Sequence, residues 1–545
     1  MTDMLISGGL VVDGTGAPPF VGDVRVKGDR IVRVSSRETQ ETDEDSQTST
    51  NTIDARGLMV TPGFIDIHSH SDHTLVVDPR AFSSVKQGVT LEVVGNCGFG
   101  CFPIENPKLA RSRIYAYHDV TPLTWRSAED YFNRLDEGHP AINVASLVAN
   151  GQLRLAAVGP GEQPATRAQM RQMRELLDDS LTAGAWGIST CLESGEESSM
   201  TEDDVAELLR SVAEQRGIHA AHTRDGASRA AEAIEEAIRT ADESGARLQV
   251  SHLIPDGGFA DMKRCIQVVE SASSSGSDVA FDMHTRLFGI GYLYVAVPPS
   301  WLQGPPNEVR ARLEDPEMRR ELRDFESYLS KLGDWSRIAI LDNDVWPQYS
   351  RRSIAEVAED RGAEPLDAIC DLLAATADDV GRLWTIEMTF TEDEQQEAFL
   401  HPLCVPMSDA AALALDGPLA GSSFHGAYSW ASWFYRYMVR DHKLMSPETA
   451  IHKLTGQPAS ILGLRERGVL REGAFADVAI FDSESFADRE TMFNPNQPAV
   501  GMRHVPVNGV VAMRDGKVTE QRGGKVLRKG RRELQSGTMR RLASN

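Results

Sequence analysis

The chain has 545 residues, of which 41% are hydrophobic and 25% charged, with a formal net charge of −24. That length exceeds one ordinary domain and suits a large barrel with a smaller satellite, while the acidic balance disfavours nucleic acid and anionic lipid, whose phosphates it repels. Six scattered cysteines form no disulfide framework, the start MTDMLISGGLVVDGTG has no signal-peptide pattern, and no segment reaches about 18 uncharged apolar residues, so the cytoplasm is the expected location.

In chain order, LISGGLVVDGTG and DVRVKGDRIVRVSS alternate apolar and polar residues between Gly- and Asp-rich turns, so residues 1–60 read as part of a β-sandwich. The polar stretch from Ser35 to Asn51 reads as a mobile loop between two of its strands. From Val60 onward, apolar runs such as VTPGFIDIHSH, TLEVVGNCG, INVASLVANG, WGISTCLE, HAAHTRD, RLQVSHLI and VAFDMHT recur, with amphipathic helices between several of them. MTEDDVAELLRSVAEQRG and ASRAAEAIEEAIRTADESG repeat apolar residues every three or four positions and end at glycine. This alternation implies a parallel sheet closed as a barrel over residues 61–464, with a poorly fitting stretch around 288–401 expected as an insertion near its mouth. After Leu464, GVLREGAFADVAIFD and RHVPVNGVVAMRDGKV return to β-texture, so 465–545 should complete the sandwich and end in a basic tail, Lys525 to Arg532, expected as a solvated end. The fold class is therefore α/β: a (β/α)8 TIM barrel with a small β-sandwich built from both chain ends.

His68 and His70 follow the run VTPGFIDI. Alternate residues of an extended strand share a face, so both imidazoles can point at one ion from the C-terminal mouth of the barrel. Cys97, His222, His252 and Asp409 fall at the ends of other expected strands. Each alone is weak, but together they form an ordered series of ligand-type residues around one barrel, suited to zinc. Zinc lowers the pKa of bound water to about 7 and polarises a carbonyl, and Asp409 is placed to accept the water's proton and pass it to a departing nitrogen. Its competing role is a helix N-cap before AAALAL. Arg224, close to His222, reads either as a substrate-orienting cation or as half of a structural ion pair.

GFIDIHSHSD, GVTLEVVGNCG, AAHTRD, SHL, RSIAEVAEDRGAEPLDA, the His-Gly-Ala-Tyr stretch at His425 to Tyr428, TGQPASILGL and GAFADVAIFD resemble the N-acyl-D-amino-acid deacylases of the amidohydrolase superfamily, over about residues 5 to 520. The resemblance implies the barrel-plus-sandwich fold and Zn2+ as cofactor, in one or two ions. His68 and His70 match the first metal pair, Cys97 the cysteine ligand, His222 and His252 the second pair, and Asp409 the catalytic aspartate. The runs Ile142 to Val158 and Trp186 to Leu192 contain no lysine that could serve as a carboxylated bridge between two metals, which leaves Cys97 as the natural bridge.

The substrate positions depart from that pattern. Ile254 stands where the deacylases keep a carboxylate-binding lysine, and Ser194 where a tyrosine follows Ser-Thr-Gly-Leu-x. His284 stands at the oxyanion-supporting tyrosine, a role an imidazole N–H can fill. Arg286, like Arg224, is a candidate replacement cation. The leading expectation is hydrolysis of an amide C–N bond in an N-acylated small molecule, with no nucleic-acid or membrane partner and a homo-oligomer left open. A cyclic amide, carbamate or lactone is the alternative substrate class, and a non-catalytic barrel scaffold the alternative of another kind.

Overall fold

The computed structural model describes residues 3–37, 51–193, 195–255 and 258–530. Most of the polar stretch read as a mobile loop (38–50), Ser194 and the last residues of the basic tail lie outside that range.

Eight parallel strands form the barrel: β1 (Phe64–Asp66), β2 (Val89–Val94), β3 (Asn143–Ser146, resumed at Val148–Ala149), β4 (Gly187–Cys191), β5 (Ile218–His222), β6 (Arg247–Val250), β7 (Val279–His284) and β8 (Cys404–Met407). They pair in chain order. The ring closes where Asp409 N donates to His68 O at 3.1 Å and His70 N to Ala410 O at 2.8 Å. Every residue of β2, β4, β7 and β8 is buried, as expected for parallel strands covered on both faces. Ile65, Leu91, Ala145, Ala220 and Met407 share one apolar cluster of barrel-strand side chains.

The helix read in MTEDDVAELLRSVAEQRG spans Glu202–Glu214 and starts at a Thr201–Asp204 capping box that satisfies its first free N–H groups. Val205, Leu208, Leu209 and Val212 form its buried face. The next helix, Ala230–Ser244, ends on Gly245 at φ 75, a left-handed turn that glycine adopts without strain.

Between β7 and β8 the chain builds an antiparallel sheet of Gly289–Tyr292, Trp384–Glu387 and Ile338–Ile340. It has its own apolar cluster, including Leu293, Ile338, Ile354 and Leu373. The helix Glu392–Leu400 then returns to the barrel, where Ala398 and Phe399 join the main core.

Both chain ends contribute to one nine-stranded sheet, in which Met59–Pro62 pairs antiparallel with Val478–Phe481. Eight of its strands follow one hydrogen-bonded path, Asn51–Asp54 pairs off that path with Asp3–Val11, and Arg30–Ser36 reaches back through Ile31 N to Ala474 O at 2.8 Å. At the junction with the barrel, buried Arg467 pairs with buried Asp477, and Asn508 bonds both Arg467 and Asn143 of β3.

The start of the basic tail is not the solvated end expected from its charge. Leu527 is buried, its carbonyl accepts from Trp186 Nε1, and Arg528 pairs with Glu129 at 2.8 Å. The apolar pair Val526–Leu527 between basic residues docks this segment against the barrel. Among the described residues no helix is long and apolar enough to cross a membrane.

Candidate metal centre

The mouth of the barrel gathers side chains from most of its strands. One ligand atom each from His68, Cys97, His252 and Asp409 lies within 4.8 Å of the others. Cys97 Sγ stands 3.2 Å from His68 Nε2 and 3.4 Å from His252 Nε2. His222 Nδ1 faces His252 Nε2 at 3.2 Å, and His70 Nε2 lies 3.2 Å from Asp409 Oδ1. Cys97, His252 and Asp409 hold φ values of 51°, 23° and 47°. Left-handed backbone at non-glycine residues costs on the order of 1–3 kcal/mol each and persists where surrounding structure imposes it. The barrel's strand ends impose it here at three of the four converging residues. No helix follows Asp409, which removes the N-cap reading.

Burial opposes charge on His68, His70, Cys97 and Asp409, yet their neighbours outweigh it. Cys97 and Asp282 hold His68 well above the ordinary imidazole range, and Asp409 and Cys97 push His70 up to about 9. His68 and His252 hold the Cys97 thiol well below its usual range, and His70 and Arg286 do the same for the Asp409 carboxyl. A thiolate and a carboxylate thus sit among imidazoles whose protons balance them. A divalent cation satisfies the same atoms in place of those protons, and the mixed sulfur, nitrogen and oxygen set suits a borderline-soft ion.

A cavity of about 760 Å³ opens over these residues. His284, Arg286 and Ile254, the positions read as substrate-facing, line it. Burial and the Arg286 charge push His284 well below the usual range, so its imidazole is neutral, and its Nδ1 makes no hydrogen bond. Arg224 is a correction: it pairs with Glu236 at 2.9 Å, donates to the carbonyls of Ser198 and Met200, and is absent from this cavity's wall. Its strand-end position beside His222 carries no information about which way the guanidinium turns, and Glu236 on the following helix captures it.

Several site residues escaped the sequence. Asp282 Oδ1 lies 3.3 Å from His68 Nδ1 and accepts from His252 N at 2.8 Å; its signal was a carboxylate inside the apolar run VAFDMHT. Glu193 Oε2 lies 2.8 Å from His222 Nε2. Tyr115 packs against His70 with ring centroids 4.7 Å apart. From the segment between β7 and β8, Ile290, Lys331, Arg337 and Trp384 complete the cavity wall, and no local motif pointed to them.

The Amidohydrolase family model matches residues 51–294 and 412–513. The N-acyl-D-aspartate deacylase of Alcaligenes xylosoxydans xylosoxydans is 30% identical over 537 residues, 97% of this chain and 95% of that enzyme. The crystal structure of N-acyl-D-glutamate deacylase from Bordetella bronchiseptica, complexed with zinc and a phosphonate mimic of the tetrahedral intermediate, superposes with a TM-score of 0.76 at 29% identity, covering 97% of this chain and 99% of that one. A D-aminoacylase structure described as having a binuclear metal centre, with one-metal activation and second-metal attenuation, gives a TM-score of 0.76 at 27% identity over 97% of this chain and 100% of the other. This chain belongs to the amidohydrolase family, among the N-acyl-D-amino-acid deacylases.

Proposed function

We propose that the chain hydrolyses the amide C–N bond of an N-acylated small molecule of the N-acyl-D-amino-acid type, with zinc as its resident metal in one or two positions. The observation that carries this reading is the convergence of His68, Cys97, His252 and Asp409 within 4.8 Å, with Cys97, His252 and Asp409 lining a cavity large enough for such a substrate. The zinc and phosphonate bound by the related Bordetella enzyme favour both the metal and the reaction.

His68, His70, Cys97, His222 and His252 would hold the metal, with Asp409 at its edge. When bound, a divalent metal polarises the scissile carbonyl and lowers the pKa of water at the site. Asp409 is the only carboxylate among the converging donors, so it takes the water's proton and delivers it to the leaving nitrogen. Arg286, 2.8 Å from Asp409 Oδ2, keeps that carboxylate ionised and aimed. Neutral His284 is free to donate one N–H to the oxygen that gains charge as the carbonyl is attacked. Asp282 and Glu193 fix the rings of His68 and His222, the usual task of carboxylates behind ligating histidines.

The test pairs metal analysis with a hydrolysis screen. Protein purified without chelator should carry at least one equivalent of zinc and release free amine from N-acyl-D-amino acids or their amides. Less than about half an equivalent of transition metal, with none gained on reconstitution, rejects the reading.

A further inference from the structure

We propose that Cys191 is a second thiolate of the metal centre, joining Cys97, His222 and His252 in an S2N2 donor set on the β4–β6 side of the barrel mouth. This rests on the metal reading above and extends it to a residue outside the expected ligand series. The position is glycine in the Ser-Thr-Gly-Leu-x run that this stretch resembles.

Cys191 is the last residue of β4 and pairs in register with His222, the last of β5. Residues in register on parallel strands project from the same face. Cys191, His222, Cys97 and His252 all line the same cavity. The six cysteines divide by surroundings. Cys101, Cys265, Cys370 and Cys404 belong to the apolar clusters of the fold, as buried thiols usually do. Cys97 and Cys191 belong to none of those clusters and face the cavity instead.

The histidines beside them are arranged for a cation. His222 Nδ1 and His252 Nε2 face each other at 3.2 Å, with Cys97 Sγ 3.4 Å from His252 Nε2. Two imidazole nitrogens in that attitude share at most one proton, whereas an ion between them accepts both lone pairs. Glu193 Oε2 engages the other nitrogen of His222 at 2.8 Å, which leaves Nδ1 turned toward the cluster. Four protein donors of this kind make a closed tetrahedral site that holds its ion tightly, with the thiol proton released on binding. Entry of water then falls to the side of His68, His70 and Asp409.

The experiment uses Co2+ as probe in the full-length protein and reads thiolate-to-Co2+ charge-transfer absorption per bound ion at one equivalent. Cys191→Ser should reduce that absorption to about half, because one of two Co–S bonds is lost. An unchanged intensity in the variant overturns the proposal while leaving the metal centre standing. Failure of the wild-type chain to bind Co2+ at all overturns the metal centre and this proposal together. Should the variant not fold, alkylation of the wild-type chain, mapped to the Cys191 peptide, replaces it. At least tenfold slower modification with Zn2+ bound than after chelation supports the assignment, and equal rates overturn it.

Discussion

Arg286 donates from Nη2 to Asp409 Oδ2 at 2.8 Å, while its Nη1 reaches the carbonyls of Ser408 and His425 at 2.7 and 3.2 Å. One guanidinium therefore ties the end of β8 to the loop that carries His425 and helps keep the Asp409 carboxyl ionised. Arg286→Gln removes the cation, so the Asp409 pKa rises. The acidic limb of the kcat/KM profile should move to higher pH, with kcat lowered at neutral pH. An acidic limb at the same pH in both proteins would show that Arg286 acts by packing alone.

Asp409→Asn keeps the shape of the side chain and removes its basicity. Loss of a positioned general base costs about 10²–10⁴ in rate, so kcat should fall by that factor while metal content stays near the wild-type value. Activity within about tenfold of wild type would move the proton-transfer role elsewhere.

How much of this was readable beforehand follows from the physics of each residue. His68 and His70 were legible because a strand's two-residue period puts them on one face, and Cys97, His222 and His252 because each terminates an apolar run. Asp282 showed only as a carboxylate inside an apolar run, which does not reveal its role until its partners, here His68 and the His252 amide, are in place. Arg224 was ambiguous because its partner, Glu236, sits on the following helix. The barrel was legible from period alone, whereas the cavity wall supplied by Arg337 and Trp384 depends on how the segment between β7 and β8 folds over the mouth. The docking of the basic tail is not legible from its charge, because the apolar Leu527 inside it, buried with its carbonyl bonded to Trp186, decides where the segment sits.

Glu387, 2% exposed in the sheet between β7 and β8, has its carboxyl pushed by burial from the ordinary 4.5 to about 7, against the opposing hydrogen bond from Thr385. The folded state therefore keeps a proton that the unfolded chain loses. The contribution is fully present below pH 4.5, is lost as pH rises through about 7, and amounts to up to about 3 kcal/mol. Glu387→Gln should flatten this slope, gaining on wild type in thermal unfolding between pH 5 and pH 8. Parallel profiles for the two proteins would contradict it.

Arg467 and Asp477 form a buried pair, 3% and 5% exposed, at the junction of the nine-stranded sheet with the barrel. Removing one partner of such a pair costs about 3–5 kcal/mol because the other charge is left unpaired. Arg467→Met should lower the denaturation midpoint accordingly, and Arg467→Met/Asp477→Leu should recover part of the loss. A double variant less stable than Arg467→Met would place the stabilisation in the pair's own attraction.

The choice between charged and neutral substrates turns on Ile254 and Arg286. Ile254 lines the cavity and offers an incoming carboxylate no charge. Arg286 also lines it, but its two terminal nitrogens are occupied by Asp409, Ser408 and His425. Recruiting it for substrate would strip Asp409 of its counterion. Arg224 faces Glu236 instead. A small free acid held at the metal centre would therefore bury its carboxylate without a partner there, at a cost of several kcal/mol, where about 1.4 kcal/mol is already tenfold. Short N-acetyl-D-amino acids should show at least tenfold lower kcat/KM than their neutral amides under identical metal loading. The remaining cations of the wall, Lys331 and Arg337, come from the segment between β7 and β8. If the free acids prove better throughout, the anchor lies on that segment. Arg337→Gln would then raise KM for the acids and leave the amides untouched, and the reading of Ile254 as a lost anchor would fall.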